Sequence, residues 1–134
     1  MKEQILQAFI EVDQKLTGAT TTVATRTTSH EKDWGPREIL AHIAAWEAEA
    51  LHRIPLLEAG ASSKTYDADA FNAEAVSRLG NQSFEQVLES FHQTHHRLLN
   101  YLASLDDTAF ASDGAAYEWV TALIRHSLEH VQEL

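Results

Sequence analysis

Apolar side chains recur with the period of an α-helix in four segments of the chain. The first segment runs from Lys2 to about Leu16, and its apolar stripe is formed by Ile5, Phe9, Val12 and Leu16. The second begins near Pro36, a residue favoured in the first turn of a helix, and ends near Leu57. Its stripe is formed by Ile39, Ile43, Trp46 and Ala50.

The third segment opens with a capping box, in which Ser83 stands at the N-cap and Gln86 follows three residues later. Its apolar face is formed by Phe84, Val87, Leu88, Phe91, Leu98, Leu102 and Leu105. The fourth segment runs from about Ala116 to the C-terminus and turns Trp119, Val120, Leu123, Ile124 and Val131 inward. A short helix is expected at about Ala68 to Leu79.

Four amphipathic helices without any strand pattern predict an all-α fold, a four-helix bundle that forms a single domain over residues 1–134. The threonine-rich stretch from Thr17 to Asp33 is interpreted as a loop. Long connections permit parallel neighbours, so we expect an up-up-down-down order of the helices.

The composition of the chain excludes several classes of partner and of functional site. The formal net charge of −10 repels nucleic-acid backbones and anionic membranes, so neither is expected as a partner. No long apolar stretch or signal peptide is visible, and a cytoplasmic protein is expected. Cysteine is absent, which excludes disulfides, thiolate ligands and a cysteine nucleophile, whereas the eight histidines are many for a chain with ten Lys and Arg.

Two of these histidines, His126 and His130, are four residues apart on the fourth helix, so both imidazoles can point at one ion. At about 100° per residue, Trp119 and Leu123 lie on the same side of the helix as this pair. The pair therefore borders the apolar stripe, and this placement favours a site inside the bundle over a solvated face.

His42 on the second helix also borders an apolar stripe, since Trp46 lies about 40° and Ile39 about 60° away around the helix. Together with His126 and His130 it could hold a divalent metal ion, and three imidazoles with an open position suit Zn, Ni, Fe or Mn. The alternative is that these histidines are only hydrogen-bonded within a small polar core.

Several other polar residues are secondary candidates. His95 falls near the centre of the third helix's apolar stripe. It could be a further metal ligand, a base beside the metal or a core histidine with a local partner. His92 and His96 are expected at the periphery, and His30 and His52 in solvent. Glu129 lies inside the histidine pair but not in the metalloprotease position, and a solvated face is expected for Glu38, Glu47 and Glu49.

The chain resembles the DinB/YfiT-like superfamily of small metal-binding four-helix bundles. The matching segments are residues 34–47 (WGPREILAHIAAWE), 66–72 (YDADAFN) and 126–131 (HSLEHV). The resemblance implies metal ligands at His42, His126 and His130, an up-up-down-down bundle and a homodimer. It also implies a thiol-dependent transferase or isomerase that uses a small cellular thiol. A related branch, the ClbS/DfsB-like colibactin self-protection proteins, sequesters or acts on a reactive small molecule without a clear metal requirement.

Three functions remain open from the sequence. The first is a metal-dependent enzyme, a transferase or hydrolase in which the ion activates a low-molecular-weight thiol or water for attack on a small-molecule substrate. The second is a metal-free binding module that holds an apolar molecule in a cavity between Trp46, Phe71, Phe91 and Trp119. The third is a dimerising bundle whose site is degenerate.

Overall fold

The computed structural model describes residues 1–24 and 34–134 of the chain. In these residues it contains no strand and five α-helices: α1 (Lys2–Ala24), α2 (Pro36–Glu58), α3 (Ala68–Ser77), α4 (Phe84–Ala103) and α5 (Ala115–Glu133). A 3₁₀ helix at Asp107–Phe110 precedes α5, and none of the described helices is long and apolar enough to cross a membrane. The prediction of an all-helical fold is confirmed for this part of the chain, and His30 lies outside it.

Helices α2 and α4 begin where the sequence signals place them. Ser83 accepts a hydrogen bond from the backbone N–H of Gln86, and the Gln86 side chain accepts one from the N–H of Ser83, so the predicted capping box is formed. Pro36 is the first residue of α2, and the Glu38 carboxylate accepts a hydrogen bond from the N–H of Gly35 at 3.0 Å. These bonds fix the register in which α2 presents its side chains.

Helix α1 continues well beyond the predicted end near Leu16, so the interpretation of residues 17–24 as loop is wrong. The hydroxyls of Thr17, Thr20 and Thr22 each donate a hydrogen bond to the carbonyl four residues earlier, at 2.8–3.0 Å. Threonine in a helix can satisfy its hydroxyl in this way. Thr20 is also fully buried, which ties the added turns to the core.

The core forms two layers along the bundle. The first joins the start of α1, the end of α2, the end of α4 and the start of α5, through Ile5, Phe9, Ala50, Ile54, Leu98, Leu102, Ala116 and Val120. The second joins the end of α1 to the starts of α2 and α4, through Leu16, Ile39, Leu40, Ile43, Val87 and Phe91, and Val131 at the end of α5 packs against it.

The helix directions follow from these layers: α1 and α5 run one way, and α2 and α4 run the other way. The order is therefore up-down-down-up, and the predicted up-up-down-down order is wrong. Helices α1 and α2 are antiparallel because the end of α1 and the start of α2 share the second layer. The long connection, residues 59–83 with α3, instead separates the parallel helices α2 and α4.

A buried polar network crosses the core between α1, α2 and α4. His95 Nδ1 lies 2.8 Å from Glu47 Oε1 and 3.8 Å from Asp13 Oδ1, and Glu47 is only 1% exposed. The prediction of a solvated Glu47 is wrong because its helix face packs against α4, and Glu38 and Glu49 are also partly buried. His95 is thus a core histidine with a local partner.

The network holds protons more tightly than free side chains do. Burial raises the pKa of Glu47 and of Asp13. Burial alone would lower the pKa of His95, but the hydrogen bond to Glu47 and the charges of Glu47 and Asp13 outweigh it and raise that pKa. A group whose pKa is raised in the folded protein contributes stability that is lost as pH rises through that pKa.

We expect His95→Leu to lower the free energy of unfolding by about 3–5 kcal/mol at pH 8, because Glu47 is left as a buried carboxylate without a partner. The loss should be smaller at pH 5, since the raised pKa of Glu47 favours its neutral form there. Urea unfolding at the two pH values measures both losses. The E47Q/H95L double variant should recover most of the stability at pH 8, and equal stability of the single and double variants would contradict this explanation.

Candidate metal centre

Three histidines from two helices converge on one point of the bundle. The Nε2 atom of His42 lies 3.2 Å from that of His126 and 3.0 Å from that of His130, and the latter two are 3.1 Å apart. His42 comes from α2, whereas His126 and His130 occupy successive turns of the antiparallel α5. Within residues 1–24 and 34–134, this is the set of His and acidic side chains placed closely enough to hold one ion.

In two of the rings, a hydrogen bond at Nδ1, on the side away from the centre, sets the tautomer. His42 Nδ1 lies 3.3 Å from the backbone carbonyl oxygen of Glu38, and His130 Nδ1 lies 3.1 Å from the Glu133 carboxylate. Both partners are acceptors, so each Nδ1 carries the hydrogen and each Nε2 presents a lone pair to the centre. Such partners orient and strengthen metal-binding imidazoles.

Two lone pairs that face each other repel unless a cation lies between them. A proton is disfavoured, because burial and the neighbouring His130 and His126 lower the pKa of His42 to about 3. Burial and His130 also lower the pKa of His126, against the opposing charges of Glu129 and Glu133. A metal ion held between the three nitrogens would relieve the repulsion.

The donor set fits a divalent transition-metal ion. An ion about 2.0–2.1 Å from each nitrogen, the usual Zn–N distance, requires nitrogens roughly 3–3.4 Å apart, and the three separations fall in this range. Neutral imidazoles suit Zn, Ni and Fe, and accept Mn, whereas Mg and Ca prefer oxygen ligands. The three histidines can therefore hold an ion, and their chemistry does not select which one.

An aromatic groove lies beside the three histidines. Trp46 stacks on Phe71 with ring centroids 4.0 Å apart, and its indole N–H donates to Asn72 at 2.7 Å. Trp119 faces Trp46 at 6.4 Å from the other wall. The groove encloses about 370 Å³, and the ligand histidine that lines it is His126.

The structure separates the other predicted site residues into two groups. Trp46, Phe71 and Trp119 come together beside the histidines, and the exposed Glu129 lies at the rim of the groove. Phe91 does not join them, so the predicted cavity that included it is wrong. Helix α4 directs Phe91 into the core, where it stacks on His95 at 5.8 Å between ring centroids, and His95 does not lie among the three histidines.

His92, His96 and His52 are exposed, as expected for peripheral histidines. A further group beside the groove was not predicted. The Tyr66 hydroxyl donates a hydrogen bond to Glu49, and Arg53 lies 3.7 Å from the same carboxylate. Burial, together with the hydrogen bond and charge of Glu49, raises the pKa of Tyr66 to about 12. The seven-residue spacing of Trp46 and Arg53, two helical turns, was the available signal.

Comparison with known proteins identifies the family of the chain. The family model of the DinB superfamily matches residues 4–134, and the chain therefore belongs to the DinB superfamily. No curated protein and no solved structure matches the chain.

We expect purified protein to bind one divalent ion per chain and His42→Ala to abolish stoichiometric binding, because it removes the ligand that α2 supplies. Elemental analysis after chelator-free purification, followed by titration with Zn or Ni, measures the stoichiometry and the affinity. His96→Ala, which removes an exposed histidine of α4, is the matched control. Stoichiometric metal with unchanged affinity in H42A would contradict the assignment.

The carboxylate behind His130 provides a finer test. Glu133→Gln should weaken metal binding about tenfold, the low end for such partners, because Glu133 is 64% exposed. Glu129→Gln removes the same charge from the same helix but leaves the His130 hydrogen bond intact. Competition titration should therefore distinguish the two variants, and equal losses would mean that only the charge of the carboxylate matters.

Proposed function

We propose that this DinB protein holds one divalent metal ion at His42, His126 and His130 and uses it to activate a small thiol or water for transfer or hydrolysis on a small molecule. The observation that carries the proposal is the convergence of three Nε2 atoms, two of them with their tautomer fixed, at the wall of an aromatic groove. A bound divalent ion with an open position would lower the pKa of a coordinated thiol or water.

The chain supplies the surroundings for this chemistry. The backbone carbonyl of Glu38 and the carboxylate of Glu133 hold the rings of His42 and His130 in one orientation. The two rings therefore need not rotate before they bind an ion. The indoles of Trp46 and Trp119 form apolar walls that exclude water from a bound molecule. We assign to Glu129, which lines the groove together with His126, the role of accepting the proton released by the attacking group.

An external thiol is the nucleophile that best fits the composition. The chain has no cysteine, so it cannot supply a thiol of its own. Thiolate sulfur is a strong ligand for the ions that imidazoles also bind. A low-molecular-weight thiol could therefore meet the ion while its remainder lies in the groove.

The aromatic cluster supports a second candidate. Trp46, backed by the ring of Phe71, and Trp119 form apolar walls that do not depend on an ion, which suits a binding protein for an apolar or reactive small molecule. Such a protein would gain thermal stability from apolar ligands and none from Zn or Ni.

We expect protein loaded with cobalt(II) to develop a sulfur-to-cobalt charge-transfer band when a thiol is added, because the thiol would bind the ion as thiolate. Zinc- or nickel-loaded protein should also accelerate the reaction of that thiol with 1-chloro-2,4-dinitrobenzene, and the metal-free protein should not. The visible absorption spectrum and the rate of thioether formation measure the two effects.

Trp119→Ala should retain the metal and the thiol band but lose rate with an aromatic electrophile, because the ion is intact and the groove is not. Absence of the cobalt band with every thiol would exclude thiol activation. Turnover of an activated ester under the same conditions would then assign the ion to water.

A further inference from the structure

A second groove adjoins the aromatic groove on the side away from the histidines. It encloses about 320 Å³ and shares Trp119 and Ala122 with the first groove. The two grooves therefore meet at one indole, and a molecule that lies over Trp119 can extend from one into the other.

The second groove carries cationic side chains in a strongly acidic protein. Arg53 and Lys64 both line it, whereas the chain as a whole has a net charge of −10. The Lys64 ammonium lies 5.0 Å from the centroid of the Tyr66 ring and, in the part of the chain that the structure describes, forms no ion pair. Its position is consistent with a cation that is held at the groove by an aromatic face.

Arg53 has hydrogen-bonding capacity left over. Its Nε atom is buried and has no hydrogen-bond partner, and the nearest carboxylate, Glu49, already accepts the hydroxyl of Tyr66. A buried donor without an acceptor is costly, so an acceptor at this point would be stabilising. Planar guanidinium groups bind carboxylates well.

The opposing charge in the groove is small. The exposed Glu118 on α5 also lines it, so the charged residues of the lining comprise two cations and one anion. Arg53 also has Glu49 at 3.7 Å, outside the lining, whereas Lys64 has no such partner among the described residues. Ser63 adds a hydroxyl that can donate a hydrogen bond. The lining therefore favours an anion with two acceptor oxygens.

The length of the two grooves sets the size of the occupant. Arg53 lies eleven residues after His42 on α2, which corresponds to about 16 Å along the helix axis, and Trp119 lies about 10 Å before His126 on α5. A molecule that joins the histidines to Arg53 must therefore be elongated, and its middle must pass the indole of Trp119.

We propose that Arg53 and Lys64 form a carboxylate-binding subsite at the far end of the groove, and that the small molecule which meets the histidines is elongated and ends in a carboxylate. The sulfur end of this molecule rests on the proposed function, whereas the carboxylate end rests on the second groove alone.

Matched thiols that differ only in the tail test the subsite. Isothermal titration of metal-loaded protein with 8-mercaptooctanoate and with 8-mercaptooctanol should show roughly tenfold tighter binding of the carboxylate, as expected for a charge-assisted hydrogen bond that is partly exposed. The short pair, 3-mercaptopropionate and 3-mercaptopropanol, should bind alike because neither reaches Arg53. A carboxylate preference already present in the short pair would place the carboxylate at Arg125 beside His126 and overturn the proposal.

Single substitutions show which residues produce the preference for the carboxylate ligand. Lys64→Gln and Arg53→Gln should each reduce the preference for 8-mercaptooctanoate several-fold, whereas Lys15→Gln, the same charge change at an exposed position on α1, should leave it unchanged. Glu118→Gln should maintain or increase it. Lys64 is exposed, so K64Q should fold even if R53Q does not. Equal affinity for the long acid and alcohol, or a preference that K64Q leaves intact, would overturn the proposal.

The same titration separates the subsite from the metal. In His42→Ala both long ligands should bind more weakly, but the ratio of their affinities should persist, because the carboxylate end does not depend on the ion. If no variant binds metal while the ratio holds, the proposed function fails and the subsite stands.

Discussion

The centre of this protein depends on an electrostatic constraint: two imidazole nitrogens with lone pairs lie 3.0 Å apart, inside a bundle. The carbonyl of Glu38 and the carboxylate of Glu133 keep the ring hydrogens at the far nitrogens, so the lone pairs cannot turn away. Burial makes protonation of His42 unfavourable. The arrangement is therefore preorganised for a bound cation, and the antiparallel packing of α2 and α5 brings the three rings together.

Helix α2 contributes to two separate polar systems because its two faces meet different helices. His42 and Trp46 face α5 and the groove, whereas Glu47 faces α4 and binds His95. The division explains why neighbouring residues of one helix have different chemistry. The His95 network joins α1, α2 and α4, and the set of three converging histidines contains no carboxylate.

Much of the fold could be predicted because it depends on local sequence patterns. The helix starts at Pro36 and Ser83 and the buried stripe of α1 depend on caps and periodicity, which act over a few residues. The end of α1 could not be predicted in the same way, since threonine is a weak helix former until its hydroxyl bonds to the preceding turn. The interpretation of residues 17–24 as loop also supported the expectation of parallel neighbours, whereas the two core layers show that α1 and α2 are antiparallel.

The candidate site shows the same limit at the level of side chains. The spacing of His126 and His130 and the angular position of His42 predict faces, and faces suffice to suggest which rings can meet. They do not predict which helix lies opposite each face. Phe91 and Glu47 were therefore misplaced: their angular positions are compatible with the groove and with solvent, but α4 packs on α2 and draws both into the core. A buried carboxylate in particular requires its partner, His95, which is distant in sequence.

Charge acts on this protein at two ranges. The net charge of −10 produces a field that attracts divalent cations and repels anions, and salt screens it over roughly 8–10 Å. A carboxylate approaching the surface would meet repulsion until it came within that distance of Arg53 and Lys64, whose local charge opposes the field of the whole chain. Long-range attraction therefore favours loading of the metal centre, whereas short-range attraction favours anions only at the end of the groove. The two ranges together would allow a metal ion and an anionic ligand to reach adjacent sites on one acidic protein.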